Sequence, residues 1–270
     1  MGPGVTDHQV GMTMALYTVP RMIFANILAK YTKYVPAQGL VLDIGCGLGD
    51  LSMFVSEELR LTTVGLDVDV ETSILTSNRT KTLPNFEVVL YNGKSFPFKN
   101  ESFDLAYAHE VIEHVDDDVL FLSEVWRILK KDGLFLLSTP NASKEPLNVA
   151  FHRDHVRHYT KSQLVAKLRN VNLYPIAAYW RYHCLGARID FMLYRLGSKL
   201  IQTKQIQPTM SYWSQERQSK LTKFVVQAYK YIVKPLISVI VIAEFEIKKT
   251  RVEAASMVVV CKKQGDSLLT

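Results

Sequence analysis

The decapeptide HEVIEHVDDD, His109 to Asp118, sets two glutamates and a histidine at positions 110, 113 and 114. If the chain turns helically there, Glu110, Glu113 and His114 share one face. Carboxylate oxygens beside an imidazole are a donor set for a divalent cation. The same side chains would also serve as a loop that closes over a bound cofactor. The stretch alone leaves both readings open, and the choice depends on the elements that position it.

Those elements alternate. LVLDIG (Leu40 to Gly45), LTTVGLDVD (Leu61 to Asp69), NFEVVLYN (Asn85 to Asn92), SFDLAYA (Ser102 to Ala108) and GLFLLSTP (Gly133 to Pro140) read as short apolar strands. Between them the spacing predicts helices over Asp50 to Leu59, Val70 to Thr80 and Val119 to Lys130. Strand and helix in alternation predict an α/β fold, a parallel sheet covered by helices on both sides. Val19 to Pro36 reads as one or two amphipathic helices. Tyr159 to Leu173 reads as a helix opened by a Thr160–Gln163 capping box. A strand follows from Tyr174, and SMVVVCKK (Ser256 to Lys263) reads as the last strand. Residues 186–250 break the alternation and read as a helical insertion. The predicted organisation is an N-terminal helical cap (1–36), a core (37–185), the insertion (186–250), and a last strand with tail (251–270).

The 270 residues suffice for one large domain with an added lobe. Three widely spaced cysteines, Cys46, Cys184 and Cys261, form no CxxC pair, which argues against a disulfide scaffold and a zinc–thiolate site and for a reducing compartment. The first twenty residues lack a basic region followed by a compact apolar run, so a cytoplasmic chain is expected. Gly2 and Thr6 match only a loose myristoylation pattern. Net charge is +6, and residues 198–251 carry ten Lys or Arg against three Glu. Such a segment faces water, an anionic membrane or nucleic acid.

VLDIGCGLGDLS puts glycines at 45, 47 and 49 directly after the first strand, where backbone amides come close to a ligand. A dinucleotide fingerprint would carry a third glycine where Asp50 stands, and an acid there suits a pyrophosphate poorly. The GxGxG spacing resembles the first motif of class I S-adenosylmethionine-dependent methyltransferases, and the chain from Val35 to Leu173 is similar to that superfamily almost throughout. The resemblance implies a Rossmann-like, doubly wound, mostly parallel seven-stranded sheet with an antiparallel last strand. It implies S-adenosyl-L-methionine as cofactor, bound by Gly45, Gly47 and Gly49. Asp67 would accept from the ribose hydroxyls, and Asn92 would accept from the adenine amine where relatives carry Asp. Val68, Gly93 and His109 complete the implied cofactor contacts. Asp43 either holds the glycine loop by accepting amides or meets the methionyl amine. Phe96 and Phe98 read as core, and Cys46 as an unreactive filler of the loop.

EVIEH, STPN and HRDHVRHYTKSQL are similar to small-RNA 2′-O-methyltransferases, and ubiquinone-pathway O-methyltransferases share a Glu-x-x-Glu-His. This resemblance implies Mg2+ or Mn2+ on Glu110, Glu113, His114 and His155, with His152 and His158 competing for the fourth place. Catalytic roles fall to Glu113, His114 and His155. A hydroxyl is a poor nucleophile at neutral pH. A cation lowers its pKa, and an imidazole takes the proton. In metal-independent relatives the same acid and histidine only shape the loop.

Leu221 to Ile247 is the most apolar stretch outside the sheet, but lysines and Pro235 interrupt it below spanning length. It reads as a helix over the site, a homodimer surface or an interfacial membrane contact. The leading expectation is O-methylation of a bulky apolar or amphipathic small molecule: lipid-, quinone- or natural-product-like. RNA 2′-O-methylation is the second expectation, although no RNA-binding domain accompanies it. A noncatalytic S-adenosylmethionine-binding partner protein is the third.

Overall fold

The computed structural model describes residues 19–144, 154–181 and 254–264. The expected insertion, the Leu221–Ile247 stretch, His152 and Cys184 lie outside them. The elements in chain order are α1 (Val19–Thr32), β1 (Leu40–Ile44), α2 (Asp50–Met53), β2 (Thr62–Asp67), α3 (Val70–Thr80), β3 (Phe86–Leu90), β4 (Phe103–His109), α4 (Asp118–Ile128), β5 (Leu129–Pro140), α5 (Lys161–Asn170), β6 (Leu173–Arg181) and β7 (Ser256–Lys263).

The strands form one seven-stranded sheet in the order β3-β2-β1-β4-β5-β7-β6. The first five are parallel, and β7 runs antiparallel between β5 and β6. The sheet is thus the mixed, mostly parallel one expected. Its centre is apolar on both faces, because helices cover both. Leu42, Ile44, Ala106, Ala108, Phe135 and Leu137 share one core cluster with Leu122 and Val125 of α4 and Leu164 and Leu168 of α5. Phe96 joins that cluster, and Phe98 packs against it, as expected.

Several helix boundaries differ from the sequence reading. After Met53 the chain widens into a π-turn over Phe54–Glu58 instead of completing an α-helix to Leu59. The helix expected to reach Lys130 stops at Ile128, because Leu129 already pairs with Phe103 in the sheet. Sheet pairing overrides the helical propensity of those two residues. The capping box is present: Thr160 accepts from the Gln163 amide, and Gln163 reaches back to the Thr160 amide. Helix α1 buries Ile23, Phe24, Ile27 and Leu28. Phe24 lies against Tyr107 and His109 at the end of β4. Among the described residues, no helix is long and apolar enough to cross a membrane.

Candidate active site at the carboxyl ends of the strands

In an open α/β sheet the ligand crevice lies beyond the carboxyl ends of the strands. Two groups of side chains meet there. The first surrounds the glycine loop. Gly45, Gly47 and Gly49 all take left-handed backbone conformations, with φ of 70°, 52° and 76°. A Cβ at Gly45 would strike Val111 at 2.6 Å, and one at Gly49 would strike Thr76 at 2.7 Å. A Cβ at Gly47 would meet nothing within 4 Å. Packing therefore requires two of these glycines, while the third opens onto free space.

The loop is fastened on several sides. The amides of Gly45 and Cys46 donate to the Leu66 carbonyl, and the Gly47 amide donates to Asp67 Oδ2 at 2.7 Å. Thr76 donates to the Gly47 carbonyl, and Arg79 donates to the Leu48 carbonyl. Asp50 pairs with Arg21 of α1 at 2.7 Å and with Arg79 of α3 at 3.1 Å. Both arginines escaped the sequence reading, since no local pattern marks a partner 29 residues away. The acid that disfavours a dinucleotide here anchors the loop to its two flanking helices.

Asp43 does not make the loop tie that was one of its two readings. It lies buried below the loop and accepts from Ser52 Oγ at 2.5 Å, while Asp67 takes the loop amide. Burial pushes its carboxyl up to about 7, opposed by the hydrogen bond from Ser52. Burial also pushes the Cys46 thiol up, consistent with an unreactive filler. Asp67 holds the Asp69 amide with its second oxygen, at 3.0 Å. Val68, 55% exposed, stands beside Gly93, whose Cβ would lie 3.6 Å from it. The Asn92 carbonyl accepts from the Lys94 and Ser95 amides, so in this structure the acceptor expected to face an adenine amine closes a turn. The crevice fits a nucleoside carrying a vicinal diol. It offers a glycine with open space above it, a carboxylate at the end of β2, and an exposed apolar side chain next to that carboxylate.

The second group follows β4, and here one expectation fails. The chain is not helical from residue 110. Glu110 adopts φ +56°, Val111 takes φ −126° and ψ −46°, neither helical nor extended, and only Ile112–His114 turn as a short 3-10 helix. Glu110 and Glu113 therefore point different ways. Glu110 pairs with Arg181 at 2.5 Å and leaves the ligand set. Burial opposes its ionisation, but the Arg181 guanidinium outweighs that and holds the carboxyl below its ordinary range.

Glu113, His114 and His155 do come together, each with one ligand atom within 4.8 Å of the others'. Glu113 is fully buried. Its Oε2 accepts from Thr139 Oγ1 at 3.1 Å, and its Oε1 has no hydrogen-bond partner. Burial pushes this carboxyl up to about 8, helped by the charge of Glu110. His114 Nδ1 lies 2.8 Å from the Asp154 carbonyl, which fixes the proton there and leaves Nε2 with its lone pair. His155 stands edge-on to His114, ring centres 4.6 Å apart, and its Nδ1 lies 2.7 Å from His158 Nε2. His158 thus supports His155 from behind.

The returning segment is held in place. The Val156 amide donates to the Glu113 carbonyl at 2.7 Å. Tyr159, Arg157 and Lys167 all converge on Asp118 of α4. The donor set of one carboxylate and two imidazoles, with a buried oxygen left unpaired, fits a divalent cation.

At the end of β4, the His109 ring lies edge-on to Phe24, 4.8 Å between centres, and its Nε2 is 2.9 Å from Arg181 Nη1. Burial, reinforced by Arg181, pushes its pKa down to about 3. It is a neutral imidazole accepting at Nε2. No local pattern marks Arg181, the partner of both His109 and Glu110.

Residues 42–137 match a family model described as a methyltransferase domain. A Mycolicibacterium smegmatis protein named "probable S-adenosylmethionine-dependent methyltransferase" is 35% identical over 101 residues, 37% of this chain and 38% of that one. The phthiotriol/phenolphthiotriol dimycocerosates methyltransferase 1 of Mycobacterium ulcerans is 26% identical over 141 residues, 52% of each chain. Among solved structures, geranyl diphosphate C-methyltransferase from Streptomyces coelicolor A3(2) shares the fold with a TM-score of 0.56 at 12% identity, covering 90% of this chain and 76% of that one. The chain spans between 38% and 58% of the length of curated relatives that it matches.

Proposed function

We propose that the core of this chain is that of a class I S-adenosylmethionine-dependent methyltransferase, and that the protein methylates an oxygen of a bulky apolar or amphipathic small molecule with the help of a divalent cation. The observation that carries the O-directed reading is the buried Glu113 carboxyl with one unpaired oxygen, beside two oriented imidazoles. S-adenosylmethionine supplies a sulfonium methyl as electrophile, and Mg2+ or Mn2+ supplies a Lewis acid for the hydroxyl. Gly47 leaves room for the cofactor, and Asp67 offers acceptor oxygens at the end of β2. Glu113, His114 and His155 would hold the cation. Without the cation, the remaining ring nitrogen of His155, backed by His158, would take the acceptor proton. The rest of the protein's work is positioning and exclusion of water.

Two relatives support the apolar acceptor class. One is named for dimycocerosates, the other for geranyl diphosphate and solved with Mg2+. The same Glu113–His114–His155 constellation also favours a second reading, RNA 2′-O-methylation. The test is methyl transfer from labelled cofactor into a lipid extract, a small-molecule extract and an RNA pool, each with and without chelator. Label in an ether-type product of the lipid or small-molecule arm, lost on chelation, is expected. Label in RNA alone would replace the first reading with the second. Undiminished transfer in excess chelator would remove the cation.

A further inference from the structure

We propose that Arg181 is the positioning residue of the acceptor side: it sets the shape of the turn that delivers Glu113 and His114. Arg181 is fully buried at the last residue of β6. One arm of its fork reaches His109 Nε2 at 2.9 Å. The other reaches Glu110 Oε1 at 2.5 Å and Ser256 Oγ at 2.7 Å. These partners come from the end of β4 and the start of β7.

The geometry assigns each contact a consequence. Glu110 is the first residue of the turn, and its φ of +56° is a conformation that a residue with a side chain adopts at a cost. The ion pair with Arg181 holds it there, aided by its own amide, which donates to the Ser138 carbonyl and hydroxyl. The chain then reverses, and Glu113 arrives against Thr139. Ser256, held by Arg181, donates in turn to the Thr139 carbonyl at 3.1 Å. Arg181 therefore fixes both the start of the turn and the backbone of the residue on which Glu113 rests. It also neutralises the Glu110 charge, which otherwise bears on Glu113. Only a planar fork serves His109 and Glu110 together; an ammonium is a single point donor. Arg181 pairs with Ser256 across β6 and β7.

The proposal rests on the assignment of Glu113, His114 and His155 to the acceptor side, and its test needs no turnover. The full chain is labelled with 15N and 13C in histidine only. The native protein should show His109 neutral with an unprotonated Nε2, and a cross-relaxation peak between the His114 and His155 rings. A charged His109, or one protonated at Nε2, would overturn the proposal before any variant is made. Arg181→Lys keeps a cation near Glu110 but not the fork. It should fold, lose the fixed His109 tautomer and weaken the ring-to-ring peak. The double variant Arg181→Met with Glu110→Gln removes both charges. It should melt higher than Arg181→Met alone and still lack the ring-to-ring peak. If that peak persists unchanged in either folded variant, Arg181 is only a charge partner. Failure to bind S-adenosylhomocysteine would sink the methyl-transfer reading while leaving these spectra unaffected.

Discussion

The two sides of the crevice treat polar groups differently. Around the glycine loop the amides, carbonyls and acids are matched: Asp67 with Gly47, Arg79 with Leu48, Asp50 with two arginines. Beyond β4, Glu113 buries a carboxyl oxygen that has no partner, next to two imidazoles. An unpaired buried polar atom costs about 1–3 kcal/mol, a cost that a cation bound at Glu113 would offset. The cofactor side is a finished bed. The acceptor side is completed by what binds there.

The sharpest exception on the cofactor side is Asp43, and it carries the largest expected effect. Its native pKa of about 7 lies above its ordinary value of 3.8, so the native state holds the proton more tightly than the unfolded chain. The associated stability is fully present below the unfolded value and is lost as pH rises through the native one. At about 1.4 kcal/mol per unit, the loss is at most about 4 kcal/mol. Urea unfolding of the native protein and Asp43→Asn should diverge progressively between those two values, with the variant the more stable in mild alkali. Parallel curves would mean that Asp43 is charged and satisfied like its neighbours.

On the acceptor side Glu113→Gln should lower turnover by about 100-fold, because it removes a ligand of the cation that activates the hydroxyl. S-adenosylhomocysteine affinity, measured by calorimetry, should not change. Equal losses in both would erase the division between the sides. The converse variant is Asp67→Ala. It removes charge-assisted bonds from the loop and should weaken cofactor binding by about 1–3 kcal/mol. The contact between the His114 and His155 rings should survive it. The smallest effect is expected at Thr160→Ala, which removes one half of the capping box and should cost about 1 kcal/mol of thermal stability. If turnover fell with it, the start of α5 would belong to the acceptor side.

Much of the molecule was legible because its signals are local. Alternating apolar runs marked the strands, and their order along the chain marked a parallel sheet. The GxGxG spacing and the acid ending β2 marked the glycine loop and the carboxylate that fastens it. Thr160 and Gln163, three residues apart, marked the start of α5. Each feature depends on neighbours within a few residues, which is the range over which backbone conformation and side-chain periodicity act.

The rest depended on residues far apart in sequence. Helical spacing put Glu110, Glu113 and His114 on one face, yet the left-handed conformation of Glu110 sends it the other way. That conformation is held by Arg181, 71 residues downstream, and by the strand ends that converge on it. No local pattern announces an arginine that will be buried, because burial is decided by what packs around it. The sequence by itself determined the sheet, the cofactor loop and the supply of acids and imidazoles. The tertiary structure alone decided which of two nearby glutamates joins the imidazoles and which is spent on an ion pair. A charge can enter the interior only where the fold brings it a partner.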